Sequence, residues 1–322
     1  MPTAVTVVGA GVIGLTTALR LAEAGHEVTV VAREPPLSTT SAVAAALWFP
    51  YRVLPYDRVL AWSQQSYGEF ARVASRSPES GVDMRWGTEL LRSPPSDPWW
   101  ADAVPDLTVV RDPAPGYEAG WRFAAPVVDM PRYLPWLAVQ ATAAGASFAT
   151  APITVTDLAD LGPVVVDCAG LGARDLVPDP TVTPVRGQVV VVDQVGVDEW
   201  LSDDLDAHTL TYVVPRESDI VVGGTADENE WALTPDPETA AAILARASTL
   251  VPALATAPIR AHKVGLRPTR PAVRLEAEHR GPQTIIHNYG HGGAGVTLSW
   301  PCADEAVALL ASSSRRPMRG SG

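Results

Sequence analysis

Residues 4–8 (Ala-Val-Thr-Val-Val) run directly into Gly9-Ala10-Gly11-Val12-Ile13-Gly14, and this junction narrows the fold more than any other stretch of the chain. A short, β-branched apolar run reads as a buried strand. The G-x-G-x-x-G that follows opens an apolar helix expected from Val12 to Ala24 and stopped by Gly25. Val28 to Val31 reads as a second buried strand. In such a β-α-β unit each glycine has a task. Gly9 permits the tight turn, Gly11 lets the backbone approach a pyrophosphate, and Gly14 lets the helix lie close to the strand. The helix start at Val12 and Ile13 presents free N–H groups and a positive dipole end to phosphates. Arg33 and Glu34 stand just past the second strand, and an acidic group there can accept hydrogen bonds from ribose hydroxyls. The unit predicts a bound dinucleotide.

The far end of the chain narrows which one. His287-Asn288-Tyr289-Gly290-His291-Gly292-Gly293-Ala294-Gly295-Val296-Thr297 joins an aromatic, two histidines and four glycines. It reads as a glycine loop whose N–H groups lie against a ring system, with a helix starting near Thr297. A helix N-terminus beside a flavin pyrimidine would stabilise the negative charge that reduction places there. Cofactor loops at both ends of one chain suit a long cofactor whose ADP and ring ends lie far apart, which points to flavin adenine dinucleotide (FAD). Gly290, Gly292, Gly293, Gly295, Val296 and Thr297 are the expected contacts on this side.

Two more segments carry chemistry. Gly265-Leu266-Arg267-Pro268-Thr269-Arg270-Pro271 holds arginines between prolines, which stiffens their backbone. A guanidinium in an apolar pocket suits a bidentate carboxylate, and Arg267 is the candidate. Arg274 reads as a structural partner of Glu276 or of a nearby carboxylate. In Ser38-Thr39-Thr40-Ser41, hydroxyls can cap a helix of small residues over Ala42 to Ala46 and bind pyrophosphate. Trp48 and Phe49 then line the cofactor or substrate pocket, or pack as core aromatics at a domain seam.

Composition sets the outer limits. A length of 322 residues suits about two domains, and 47% hydrophobic residues suffice for a large core. A net charge of −12 argues against non-specific nucleic-acid binding and against an anionic membrane surface. No apolar stretch approaches the ~20 residues a membrane helix needs. With no signal-peptide pattern and no peroxisomal tripeptide, the expected location is cytoplasmic. Cys168 and Cys302 lack metal-ligand spacing and are expected as inert core residues, so no metal is expected.

The order of elements predicts an α/β protein. Helices are expected over 57–75, Asp129 to Ala144, Pro237 to Val251 and Ala303 to Leu310. Strands are expected over Val164 to Gly170, Gly187 to Val192, Thr211 to Pro215 and Ile220 to Thr225. The alternation of character along the chain predicts a discontinuous Rossmann-like FAD-binding domain (1–50, 131–183 and 265–322). Inserted into it is a mainly antiparallel-sheet α+β substrate domain (51–130 and 184–264).

Taken in order, several segments resemble the D-amino-acid oxidase family over nearly the whole chain. They are Val8 to Leu15, Thr39-Thr40 through Leu47-Trp48, Trp62-Ser63-Gln64-Gln65, Arg186-Gly187-Gln188, Gly265-Leu266-Arg267-Pro268 and His287 to Gly293. The resemblance implies a non-covalent FAD and hydride transfer from the Cα of a D-amino acid, expected to be neutral, to flavin N5. Reoxidation by O2 would give hydrogen peroxide, with an imino acid hydrolysing to a 2-oxo acid and ammonia. It implies that Arg267 pairs with the substrate carboxylate, that Tyr212 adds a hydrogen bond, and that the backbone carbonyl of Gly293 accepts from the amine. Phe49 and His208 are the other expected substrate contacts. Cofactor contacts are expected also at Thr39, Thr40, Ser41, Ala46, Leu47, Ile153, Ala169, Gly170, Gly265 and Arg267. A hydride mechanism requires no acid or base to take the Cα proton. None is therefore expected, and His287 and His291 read as structural. A homodimer is common in the family.

The chain also departs from the family pattern. Members with an active-site lid carry a second tyrosine before the one matching Tyr212; here His208 is nearest, and the segment from Gln188 to Tyr212 is shorter. Phe49 replaces a polar residue of some relatives. Three alternatives remain: a glycine or sarcosine oxidase; a D-aspartate oxidase, which needs an additional cation although Arg216 is expected to point away; and a non-catalytic flavin-binding protein.

Overall fold

The computed structural model describes residues 2–49, 54–152, 154, 157–203 and 210–313, so the expected contacts Ile153 and His208 lie outside the described residues. Strands β1 (Ala4–Val8), β2 (Glu27–Ala32), β3 (Val82–Leu91), β4 (Thr108–Arg111), β5 (Ala119–Val128), β6 (Ser147–Thr150) and β7 (Val164–Asp167) come first. They are followed by β8 (Thr183–Asp193), β9 (Trp200–Asp203), β10 (Thr211–Pro215), β11 (Asp219–Gly223), β12 (Asp227–Glu228), β13 (Ile259–Arg280) and β14 (Gln283–His291). The helices are α1 (Val12–Glu23), α2 (Tyr56–Arg76), α3 (Met130–Ala143), α4 (Ala173–Leu176), α5 (Pro237–Leu250) and α6 (Gly295–Ser313).

One half of the architecture is a parallel sheet in the order β6-β2-β1-β7-β14. Its side chains alternate with the pleat. Val5, Val7, Val28, Val30, Val164, Val166 and Ile286 face a core shared with α1, α3 and α6. Val8, Val165 and Ile285 face the opposite layer with Leu176 of α4 and Val182. Because these strands are parallel, their C-terminal ends gather at one edge, where open α/β sheets bind ligands.

The other half is mainly antiparallel, in the order β4-β5-β3-β9-β10-β11-β8, with β12 beside β8 and one parallel step between β3 and β9. Helix α5 covers it, packing Ala240, Ile243 and Ala247 on Val190, Val192, Val213, Ile220 and Val222. Pro237 opens α5, and the Asp236 carboxylate caps it, accepting from the N–H of Thr239 at 3.0 Å.

Strand β13 joins the halves. Its first part pairs with β8 as far as Thr269, and its second part pairs with β14 from Thr269 to Arg280. The expected boundary at 264/265 therefore falls inside a strand. The prolines are absorbed where the ladder can spare a donor: Pro268 stands opposite Pro184, and the register shifts between Thr269 and Arg274.

Three expectations need correction. Ala42 to Ala46 is not a helix but a 3-10 turn, Thr40–Val43, followed by Ala46 in left-handed backbone at φ 57°. The Thr39 hydroxyl donates to the Pro36 carbonyl and the Ser41 hydroxyl accepts from the Val12 N–H, so neither caps a local helix. His287 to Thr297 is not one loop, since β14 runs through His291 before a short turn at Gly292–Ala294. The last helix starts at Gly295 rather than Ala303, and Pro301 sits inside it. The sequence reading also missed β5 and β3, and in β3 Met84 and Trp86 are exposed while Glu89 is buried, which masks the alternation.

Arg20 staples three helices. From α1 its guanidinium pairs with Glu69 of α2 at 2.7 Å and Asp304 of α6 at 2.9 Å, and it lies 4.6 Å from the ring centre of Trp300. Removing it leaves two partly buried carboxylates facing each other. We expect Arg20→Met to destabilise the fold by about 2 kcal/mol, read as a lower midpoint in denaturant unfolding with unchanged slope.

Candidate active site

A cavity of about 890 Å³ runs along the C-terminal edge of the parallel sheet and on to the antiparallel half. That volume suits a large bound molecule. At its first end lie Gly9, Gly11, Val12 and Ile13 after β1, Arg33 and Glu34 after β2, and Ala169 and Gly170 after β7. The side chains of Arg33 and Glu34 pair with each other at 3.3 Å and are exposed, leaving both free to turn to a ribose. Thr39, Thr40, Ser41, Ala46 and Leu47 form one wall, with Gly265 opposite. Ser41 reaches across to α1, where its hydroxyl accepts from the Val12 N–H at 3.0 Å. A side chain on Gly11 would crowd that hydroxyl, its Cβ falling 3.0 Å away. The backbone here is open enough for a pyrophosphate.

The glycine segment forms the next stretch of wall, with Gly292, Gly293, Gly295, Val296 and Thr297 on the cavity. The Thr297 hydroxyl, in the first turn of α6, accepts from the Phe49 N–H at 3.1 Å and donates to the Phe49 carbonyl at 3.0 Å. The start of α6 is thereby bound to Phe49, which also lines the cavity. Two expected contacts sit off the wall. Gly14 is packed on Gly9, where any Cβ would collide with the Gly9 carbonyl, and Gly290 is packed on the Arg270 side chain.

The histidines divide. His287 is buried off the cavity, its Nε2 2.9 Å from a Glu278 carboxylate oxygen. His291 lines the cavity, and burial pushes its imidazole down to about 3. It is therefore neutral at neutral pH and poorly suited to take a proton. Among the described residues its buried Nε2 has no hydrogen-bond partner.

The three arginines of the proline-rich strand have separate fates. Arg270 donates to Asp179 at 2.9 Å. Arg274 donates to Glu276 at 2.8 Å and to the Tyr289 hydroxyl at 2.8 Å. Arg267 lines the cavity and donates to a neutral group, the Thr225 carbonyl, at 3.0 Å; among the described residues no carboxylate pairs with it. Tyr212 stands beside it. Burial raises the phenol above its ordinary value and the Arg267 charge holds it back, so it is a neutral donor at neutral pH. Arg216, by contrast, is buried away from the cavity against Asp219 at 2.6 Å.

The sequence reading missed what gives this pair its room. A Cβ on Gly187 would lie 2.6 Å from the central carbon of the Arg267 guanidinium, and one on Gly223 would collide with the Tyr212 ring. Both glycines lie within strands, β8 and β11, where a glycine marks the close approach of another group. Ser202 and Leu210 also line this end and were not anticipated.

Behind the glycine segment, Asp179 accepts from Thr181, from Tyr289 at 2.9 Å and from Arg270. Burial alone would raise this carboxyl, but the donors overcome it and hold it at about 2, against an ordinary 3.8. A depressed folded-state value adds stability above the unfolded value that disappears as pH falls through the folded one. We expect the stability gap between wild type and Asp179→Asn to be constant above about pH 5 and to close between about pH 4 and 2, measured by denaturant unfolding.

Comparison with known proteins agrees with this geometry. The family model described as FAD dependent oxidoreductase matches residues 4–309. The chain is 48% identical to a D-amino-acid oxidase of Rubrobacter xylanophilus over 308 residues, covering 94% of each. It is 47% identical to a D-amino-acid oxidase of Streptomyces coelicolor over 316 residues, covering 95% of this chain and 96% of the other. Among solved structures, glycine oxidase from Geobacillus kaustophilus superposes with a TM-score of 0.79 at 19% identity, covering 98% of this chain and 96% of that one, which speaks for the fold alone.

Proposed function

The chain belongs to the family of FAD-dependent oxidoreductases, and from that premise we propose that it oxidises D-amino acids to imino acids, with O2 as the electron acceptor. The observation that carries the substrate reading is Arg267: a guanidinium on the cavity wall that no described carboxylate neutralises, beside a neutral tyrosine donor. A zwitterion supplies what this end lacks. Its carboxylate suits the planar fork of Arg267, and the Tyr212 hydroxyl donates a further hydrogen bond.

FAD, when bound, supplies the two-electron acceptor for the substrate Cα–H bond and returns those electrons to O2, giving hydrogen peroxide while the imino acid hydrolyses to a 2-oxo acid and ammonia. In this reading Gly9, Gly11, Val12 and Ile13 hold its pyrophosphate, and Arg33 and Glu34 its ribose. The wall from Gly292 to Thr297, with the N-terminus of α6, holds its ring system.

The protein's own contribution is orientation. Arg267 and Tyr212 fix the carboxylate, and the Gly293 carbonyl accepts from the amine. Phe49 and Leu210 bound the space for a neutral side chain. Two fixed points and a bounded side chain leave one face of Cα open for transfer, which selects the D-enantiomer. No proton acceptor is needed at Cα, in keeping with a His291 imidazole held neutral. Two buried, unbridged cysteines suit a reducing cytoplasm, and the same reading includes a homodimer.

We expect Arg267→Ala to raise the KM for D-alanine by at least about a hundredfold while FAD stays bound, because a buried carboxylate loses a charged partner. Peroxide release measured alongside the flavin spectrum checks both parts, and unchanged kinetics would remove Arg267 from the site. Gly11→Val should give the opposite pattern, a folded protein purified without yellow colour.

A further inference from the structure

Strand β10 turns Leu210, Tyr212 and Val214 to the cavity, while Val213 turns to α5 on the opposite face. The Tyr212 phenol lies over the neighbouring strand. Tyr212 pairs with Gly223 of β11, and a Cβ on Gly224 would stand 2.8 Å from the phenol oxygen. The place of that oxygen is therefore set by two pieces of backbone, Leu210 ahead of the tyrosine and Gly224 beside its tip. They meet directly, the Gly224 N–H donating to the Leu210 carbonyl at 3.1 Å.

One side chain holds both. Arg246, on α5, donates to the Gly224 carbonyl at 3.1 Å, to the Leu210 carbonyl at 3.3 Å and to the Thr211 hydroxyl at 3.4 Å. All three acceptors are neutral, and among the described residues no carboxylate pairs with this guanidinium. Burial pushes its pKa down with no acid to restore it. A desolvated charge of this kind costs the fold stability. Helix α5 does not need it to dock, since Ala240, Ile243 and Ala247 supply the apolar face. What a guanidinium offers here is a planar fork that bridges two backbone segments. Arg267 is held by a separate route. Its acceptor, Thr225, is tied to β8, the Thr225 hydroxyl accepting from the Gln188 N–H at 3.1 Å.

We propose that Arg246 is a positioning residue for Tyr212: by fixing the backbone at Leu210 and Gly224, it sets the phenol where it donates to the substrate carboxylate. The proposal rests on the reading of Arg267 and Tyr212 as the carboxylate-binding pair. Arg246 itself does not line the cavity. A hydrogen bond weakens steeply once its donor is misaligned. Loosening Leu210 and Gly224 therefore weakens the Tyr212 contact and leaves the charge of Arg267 in place.

The test is a double-mutant cycle on the FAD-loaded enzyme, with wild type, Arg246→Met, Tyr212→Phe and the double variant. kcat and KM for D-alanine are measured from peroxide release. Tyr212→Phe should raise KM about tenfold or more, and Arg246→Met about three- to tenfold, with kcat within about twofold of wild type. Placed on Tyr212→Phe, Arg246→Met should add less than about a further twofold to KM. A merely structural arginine would act equally in both backgrounds, and such an additive result overturns the proposal. So does an Arg246→Met enzyme with wild-type KM, or one that loses kcat alone. A Tyr212→Phe enzyme with wild-type KM removes Tyr212 from the site and the proposal with it. Should Arg246→Met fail to fold, Arg246→Lys, which keeps the charge and loses the fork, goes through the same cycle and the same outcomes decide. Turnover of glycine or sarcosine in place of D-alanine overturns the D-amino-acid reading alone, and the cycle on glycine, which carries the same carboxylate, then decides the role of Arg246.

Discussion

The hydrogen bonding of β13 on two sides is the constraint from which the site follows. The strand is held by β8 along its first part and by β14 along its second, so it cannot slide against either sheet without breaking a ladder. Arg267 lies near the changeover, paired across to Val185, and Gly265 and Pro268 line the same cavity. One strand therefore contributes to both the cofactor wall and the substrate end. The distance between them is set by covalent geometry rather than by the docking of two independent bodies.

Electrostatic sorting follows from that placement. Three arginines sit within eight residues, and their partners separate them. Arg270 and Arg274 meet carboxylates in a network through Asp179, Tyr289 and Glu276 that backs the glycine segment. Arg267 faces the cavity, where the Thr225 carbonyl and the Tyr212 phenol meet it and, among the described residues, no carboxylate pairs with it. A guanidinium held by a neutral acceptor keeps its full charge for an incoming anion, whereas one already paired would have to break an ion pair first. The same network ties down the backbone of the glycine segment that lines the cavity. The guanidinium that faces the cavity and the two that back the glycine segment thus lie within eight residues of one strand.

How much of this could be read in the sequence depended on whether a signal was local. The β-α-β unit was legible because the strand, the glycine spacing and Glu34 all lie within the first 34 residues. Arg267 and Tyr212 were legible through motif resemblance, and Arg274 through the acidic residue two positions on. The turn after Ser38 was misread because Ser41 finds its partner, the Val12 N–H, 29 positions away, and a hydroxyl bonded at that distance gives no local helix. β3 was missed because an exposed Trp86 and a buried Glu89 invert the usual match of apolar residues to the buried face.

Gly187 and Gly223 show the same limit from the opposite side. Each occupies a strand where any larger residue would fit the β pattern better, and each is small for the sake of a neighbour distant in sequence. Gly187 leaves space for Arg267, 80 positions on, and Gly223 leaves space for Tyr212 on the adjoining strand. The Arg267–Tyr212 pair therefore depends on four residues, two that face the cavity and two that leave them room. Adding a methyl group at either glycine would push a charged or phenolic tip out of alignment without removing it. Such a change acts on orientation while leaving the chemistry of the side chains intact.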